Sequence, residues 1–362
     1  MPVPSARDPE ATRAGLRSWF TRVRPAASDI EVALLPSPRA TGYSSETILF
    51  EVGWSETGEA RRGEFAARVE PSGYTLFQDH DLDAQRRILE ALHRFTDVPV
   101  PRVIGHADKN DSPLGQPFFV TERVDGIVPP DWPSYARSGW LLEATPEQQR
   151  TLYESGLGIL AALRAADWSA MGLEFLIDPG RRPVGLEAEL GHDRGFLTWV
   201  AAGRALPLFE GALDWLVRHC PADDRRHLNW GDARPGNIIF RDFHPVAVLD
   251  WEMAAVGPPE ADLGWWIVFQ RMHTEGHGLP PLPGFPSPDD AVALYEGMTG
   301  EPVQNLLFFE VRAAFRAALL LFRFNDMLLK TGKITPGSPD APQLPATRVL
   351  EALLADPTGP ER

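Results

Sequence analysis

Three scarcities narrow this 362-residue chain before any motif is sought. Its single cysteine, Cys220, excludes an internal disulfide and any zinc site built on a cysteine cluster, and suits a reducing compartment. Lysine stands only at Lys109, Lys330 and Lys333, so nearly all the positive charge is arginine. Long uncharged apolar runs are missing too. The most apolar helical stretch, 311–329, is interrupted by Arg312, Arg316, Arg323 and Asp326, which rules out a simple membrane span. The N-terminus carries Pro2 and Pro4 and then charged residues in place of an apolar targeting core, so the expectation is a cytoplasmic protein with no membrane partner. A net charge of −15 argues against nucleic acid, which needs a basic surface. The histidines show no H-E-x-x-H spacing, and no G-x-S-x-G is present, which weighs against a zinc peptidase and an α/β-hydrolase.

What is there reads as a globular protein, 43% hydrophobic and 23% charged, long enough for one large lobe or two fused ones. Asp8-Pro9 predicts a capped helix start, with Leu16, Trp19, Phe20 and Val23 recurring at helical spacing. Strands are predicted at 30–35, 47–52 and 64–69, a helix at 81–95, and two more strands in VPVPRVIGH and PFFVTERVDG. Thr145-Pro146 predicts another capped start, after which nearly everything outside one hairpin is helical. The Gly- and Pro-rich stretch 276–288 is expected to be an exposed excursion. The divisions expected are a helical extension at 1–28, a small lobe at 29–126 and a large lobe at 127–362.

The hairpin is the informative part. Residues 230–252 read WGDARPGNIIFRDFHPVAVLDWE, with IIF and VAVL as short buried strands and RDFHP as the turn. Such a hairpin holds Asp232, Asn237 and Asp250 at one end of a small sheet. Two carboxylates and an amide carbonyl are hard oxygen donors, the set that Mg²⁺ and phosphoryl transfer require. A lone loop aspartate is usually a turn former or a helix cap, so the weight lies in the set and its spacing.

The order D-A-R-P-G-N, strand, L-D-W-E resembles the catalytic loop and metal-binding aspartate of protein-kinase-like enzymes. It is closer still to the aminoglycoside phosphotransferase and choline kinase-like family, whose members read H-G-D-x-x-x-x-N and then I-D-W/F-E. Here Trp230 stands in place of the histidine. TDVPVPRV and AVLDWEMA look most like the acyl-CoA-dehydrogenase-linked kinase-like group of that family. The resemblance implies an α+β, two-lobed protein-kinase-like fold, with an antiparallel sheet plus helix in the small lobe and a mostly helical large lobe. It implies Mg²⁺ as cofactor and ATP as co-substrate. Asp232 would take or orient the proton of an attacking hydroxyl, Arg234 would stabilise the phosphoryl group, and Asn237 and Asp250 would hold the metal. Asp262 would accept hydrogen bonds from the catalytic loop.

In the small lobe, the resemblance places phosphates under the turn holding Gly42, Ser44 and Ser45, and adenine beside the backbone of Glu122 to Val124. The third-strand lysine of kinases has no counterpart. Arg68 is the candidate for the α- and β-phosphates, since a guanidinium can pair bidentately with phosphate oxygens. Its usual acidic helix partner is replaced by Gln85. The expected activity is transfer of the γ-phosphate of Mg-ATP to a hydroxyl of a small molecule, aminoglycoside-like or another hydroxylated metabolite. A hydroxyacyl acceptor, a catalytically weak nucleotide-binding module and a metal-dependent hydrolase stay open as alternatives. Trp265 and Trp266 are read as helix core, and His273 as a solvated or helix-end histidine.

Overall fold

The computed structural model describes residues 7–36, 46–71, 76–77, 81–180, 182–330, 332–335, 337 and 341–355. The chain divides into two compact units, one of Met1–His93 with Val100–Asp125, the other of Arg94–Pro99 with Gly126–Arg362. None of the helices among the described residues is long and apolar enough to cross a membrane.

The first unit is α1 (Pro9–Val23), β1 (Ser28–Leu34), β2 (Glu46–Glu56), β3 (Glu59–Val69), α2 (Leu82–Phe95), β4 (Val103–Ala107) and β5 (Phe118–Glu122). Its five strands form an antiparallel sheet in the order β1-β2-β3-β5-β4. The Asp8 side chain accepts from the Glu10 N–H at 3.1 Å and Pro9 opens α1, which answers two of the helix's unpaired amides. Helix α1, within the stretch expected as an N-terminal helical extension, packs in the core of this unit. Leu16, Trp19 and Phe20 are buried among Phe50, Trp54, Phe65 and Phe118, and the Phe20 and Phe65 rings lie 5.7 Å apart. A sheet of this kind needs one face covered, and the apolar stripe of α1 covers it.

The second unit begins with α3 (Trp140–Glu143), α4 (Pro146–Ala165), α5 (Leu186–Ala201) and α6 (Pro207–Arg218). Four short strands follow, β6 (His227–Asn229), β7 (Ile238–Arg241), β8 (His244–Val248) and β9 (Ala255–Gly257). The helices α7 (Glu260–His273), α8 (Pro288–Thr299), α9 (Leu306–Lys330) and α10 (Leu344–Ala355) complete it. Thr145 and Gln148 cap α4 reciprocally. Gly156 of α4 leaves room for the Trp266 ring, which an added Cβ would strike. The hairpin turn is tighter than its sequence suggests: only Asp242 and Phe243, both left-handed at φ 50° and 64°, separate β7 from β8.

Stretch 276–288 is not an exposed excursion. Leu282 and Phe285 are buried, and the Gly284 N–H donates to Gln149 Oε1 at 2.9 Å. Gln270 Nε2 donates to the Pro286 carbonyl at 2.7 Å. Two buried glutamines answer backbone groups that the Gly/Pro composition would otherwise leave to water.

If α1 is core rather than appendage, Phe20→Ala should lower the unfolding free energy by about 3–5 kcal/mol, the usual cost of emptying a buried phenyl site. Urea unfolding measures this. A loss within about 0.5 kcal/mol, typical of a surface change, would return α1 to the status of an extension.

Candidate active site

The strands of the second unit are nested. β6 pairs with β9 and β7 with β8, so loop 230–237 leaves β6 and enters β7 while loop 249–254 runs back from β8 to β9. The two loops are cross-bonded where they start and end. The Trp230 indole Nε1 donates to the carbonyls of Leu249 at 2.8 Å and Asp250 at 3.2 Å. The Leu249 N–H donates to the Asn237 carbonyl at 2.8 Å. Gly231 has φ 90°, and an added Cβ would run into the Met253 carbonyl, so only glycine fits between the loops.

Helix α7 fixes the first loop from below. Asp262 accepts the Trp230 N–H on Oδ2 at 2.6 Å and the Gly231 N–H on Oδ1 at 2.8 Å, as its sequence position suggested. It is 3% exposed. Burial is the largest influence on its carboxyl and pushes it up to about 7, against the two amides that favour the charge and with the nearby charge of Asp232 adding to the rise.

Asp232 is the most heavily bonded group of the loop. Arg234 Nε lies 3.0 and 3.1 Å from its two oxygens, and Asn237 Nδ2 donates to Oδ2 at 2.5 Å. The fourth contact comes from Trp265, whose indole Nε1 donates to Oδ1 at 2.9 Å. Burial raises the Asp232 carboxyl above its ordinary range; Arg234 opposes the rise and the Asp250 charge adds to it. Arg234 is gripped from the other side by Asp131, and its guanidinium carbon sits 5.3 Å from the Phe269 ring centre. Burial works against the Arg234 charge, but the two carboxylates more than restore it. Asp131 in turn meets His273 Nε2 at 3.3 Å, and its carboxyl is held low by the charges and hydrogen bonds of Arg234 and His273.

Of the residues marked from sequence, Asp232, Arg234, Asn237 and Asp250 come together in the second unit. Asn237 is buried with its amide nitrogen on Asp232, which turns its oxygen away from that carboxylate; Asp250 holds a left-handed φ of 61°. The rest lie in the first unit. Arg68 is half-buried on β3, in register with Thr47 and Phe119. Glu122 ends β5 with its N–H on the Arg102 carbonyl at 2.9 Å and its carboxylate on the Arg102 guanidinium, and Val124 follows outside any strand. Gln85 is buried on α2. Gly42, Ser44 and Ser45 lie outside the described residues.

Sequence reasoning missed three participants. Trp265 was taken for core, yet it stands three residues after Asp262 on one helix and therefore shares its face, a signal that was available. Asp131 carries no local signal, because its partner Arg234 is about a hundred residues away in sequence. His273 is buried rather than solvated, between Asp131 and Ser134, with its ring stacked on Tyr135 at 4.1 Å.

Beside this loop is a cleft lined by Gly231, Met253 and Trp265 and, across from them, by Glu189, Arg312 and Arg316. Arg312 pairs with Glu189 at 2.5 Å and Asp193 at 2.9 Å. Arg316 reaches Asp193 at 3.5 Å and lies 6.0 Å from the Trp265 ring centre.

A raised carboxyl has a measurable consequence. Between the ordinary carboxyl pKa and about 7, the folded protein keeps a proton on Asp262 that the unfolded chain releases. Its contribution to stability is therefore full at acid pH, falls as pH rises toward 7, and levels off above. Asp262→Asn should flatten that part of the profile and also cost stability at every pH, since an amide offers one oxygen to two N–H groups. Urea midpoints of both proteins from pH 4 to 8 check it, and parallel profiles would remove the pKa argument.

Comparison with known proteins agrees with this geometry. Residues 38–283, well over half of the chain, match the model of the family described as phosphotransferase enzyme family. The chain is 29% identical over 305 residues to IBR3 of Arabidopsis thaliana, named a probable acyl-CoA dehydrogenase; the match covers 76% of this chain and 34% of that protein. This chain thus spans about a third of that relative. Among solved structures, a candidate aminoglycoside phosphotransferase of Ralstonia eutropha superposes with a TM-score of 0.64 at 19% identity, covering 96% of this chain and 95% of that one. A thermostable mutant of aminoglycoside phosphotransferase APH(4)-Ia, in ternary complex with ADP and hygromycin B, gives 0.51 at 16% identity, covering 96% and 100%. Both share the two-lobed α+β protein-kinase-like fold, and with a family match across most of its length this chain belongs to the phosphotransferase enzyme family.

Proposed function

We propose that this protein transfers the γ-phosphoryl group of Mg-ATP to a hydroxyl of a small molecule. The observation that carries the reading is Asp232, held by Arg234, Asn237 and Trp265 at the head of a loop tied to the loop of Asp250. A buried carboxylate so fixed can accept a hydrogen bond from an incoming hydroxyl without first reorganising. Arg234 supplies a fixed positive charge beside it for a phosphoryl group.

Asn237 and Asp250 fit a magnesium ion by their chemistry. Mg²⁺ takes oxygen donors and commonly needs only one or two from the protein, with phosphate oxygens and water filling the remainder. When bound, the ion supplies charge neutralisation for phosphate oxygens. In the first unit, Arg68 is assigned to phosphate, the backbone of Glu122 to Val124 to adenine, and the turn of Gly42, Ser44 and Ser45 to covering the phosphates. ADP in the APH(4)-Ia complex supports an adenine nucleotide as co-substrate. The single cysteine supports a reducing, cytoplasmic setting.

The cleft beside Asp232 bears on the acceptor. A polycation would call for surplus carboxylates, but among the described lining residues Glu189 and Asp262 are matched in number by Arg312 and Arg316. A hydroxyl compound that is neutral or anionic fits this balance better than an aminoglycoside does. The hydroxyacyl reading follows, and the kinship to a protein named as an acyl-CoA dehydrogenase supports it.

Two measurements test the reading. Mg-ATP should raise the melting temperature by ligand linkage, and Asp250→Ala should remove the metal-dependent part. Calorimetry without any heat of binding at millimolar Mg-ATP would refute nucleotide use. In an ADP-release screen of hydroxyl compounds, hydroxy acids and hydroxyacyl thioesters should exceed aminoglycosides. With the acceptor so found, Asp232→Asn should lower turnover about 10²–10⁴-fold, the range of a general-base step, while leaving the Mg-ATP melting shift in place. Near-full turnover in that variant would remove Asp232 from the chemistry, and steady ADP release without any acceptor would favour a hydrolase.

A further inference from the structure

A second cavity, of about 500 Å³, lies in the same unit and is unused by the reaction proposed above. Its described lining includes Trp132, Arg137, His277, Leu344, Pro345 and Arg348. In a chain of net charge −15, this lining holds two arginines and a histidine and no carboxylate. Arg137 makes no side-chain hydrogen bond or ion pair with any described residue. Arg348 donates from Nη1 to the Gly276 carbonyl at 2.8 Å, which aims the guanidinium without neutralising it.

The two arginines act on the histidine. His277 is pushed down to about 4, first by burial and then by the positive charges of His273, Arg137 and Arg348. A neutral imidazole there can still donate one hydrogen bond. Two guanidiniums with no carboxylate partner among the described residues face one concave site, and their donors suit the several oxygens of a phosphate better than the two of a carboxylate. The volume exceeds what a bare phosphate needs and falls within the range of small-molecule pockets. Trp132, 62% exposed, presents an open ring beside the cations.

We propose that this cavity is a separate ligand site, taking the phosphate or diphosphate group of a small organic molecule between Arg137 and Arg348, with the remainder of the molecule against Trp132. Nothing in the site depends on Asp232 or on the metal residues. It does border the catalytic loop, because the residue before Trp132, Asp131, grips Arg234.

Inorganic pyrophosphate, in EDTA to keep metal out, is the probe. Calorimetry should show it binding to the wild-type protein. Arg137→Gln and Arg348→Gln should each weaken that binding by about ten- to a hundredfold, the worth of a hydrogen bond to a charged group. Arg137 is exposed, so its variant should fold as wild type does, and circular dichroism verifies that. No binding at millimolar pyrophosphate, or binding that both variants leave unchanged, overturns the site. The source of the phosphate follows from basal ATP hydrolysis. A pyrophosphate effect that Arg137→Gln abolishes identifies a free anionic effector of turnover, whereas Arg137-dependent binding with no such effect identifies a phosphate-bearing ligand whose site is not coupled to ATP turnover.

Discussion

The active loop depends on one buried carboxylate. Asp262 accepts two consecutive backbone amides, those of Trp230 and Gly231, at the point where β6 gives way to the loop. Without it these N–H groups would be buried and unanswered, each at a cost of roughly 1–3 kcal/mol. The arrangement is not free of tension, since burial opposes the very charge that makes the bonds strong. The same helix sends Trp265 to Asp232 one turn later and Trp266 into the core against Gly156. Helix α7 therefore anchors the loop backbone, orients its acid and packs the unit with three side chains in five residues.

The tryptophan at position 230 shows how a departure from a family pattern can keep its purpose. The family usually has histidine there. Trp230 is fully buried, and its single N–H bridges the carbonyls of Leu249 and Asp250. A donor at this place links the loop of Asp232 to the loop of Asp250, and indole has one. Gly231 lets the two backbones approach closely enough for that link to form. The ladders β6–β9 and β7–β8 then hold both loops at both ends, so backbone pairing and the Asp262 and Trp230 side chains together set the positions of Asp232, Asn237 and Asp250.

Much of this was legible in the sequence, for physical reasons. The caps at Asp8-Pro9 and Thr145-Pro146 are local chemistry and mark α1 and α4 to the residue. Apolar alternation located the strands, although β2 and β3 run longer because a hairpin continues pairing beyond its buried part. The cluster of Asp232, Arg234, Asn237 and Asp250 was readable because its members lie within one short stretch. What escaped depends on distance along the chain: Asp131 meets Arg234 only in the fold, and His273 is buried only because Asp131 and Ser134 come to it. Burial of Leu282 and Phe285 likewise required glutamines from α4 and α7. Composition describes a segment, whereas burial is decided by what packs on it.

Charge balance explains the state of the site as it stands. Asp131 and Asp232 both pair with Arg234, so two carboxylates share one guanidinium, and Asp232 also feels the charge of Asp250. Arg234 is shared between the first two, and neither has it alone. Asp131, which also meets His273, keeps its carboxyl low; Asp232, which feels Asp250 and is more deeply desolvated than compensated, has its carboxyl raised. The negative charge that Arg234 leaves uncompensated thus falls on Asp232, the carboxylate nearest the proposed chemistry. Such a surplus is what a hard divalent cation balances. An arginine rather than a lysine suits the middle position, because its planar fork can meet carboxylates on two sides at once while staying charged.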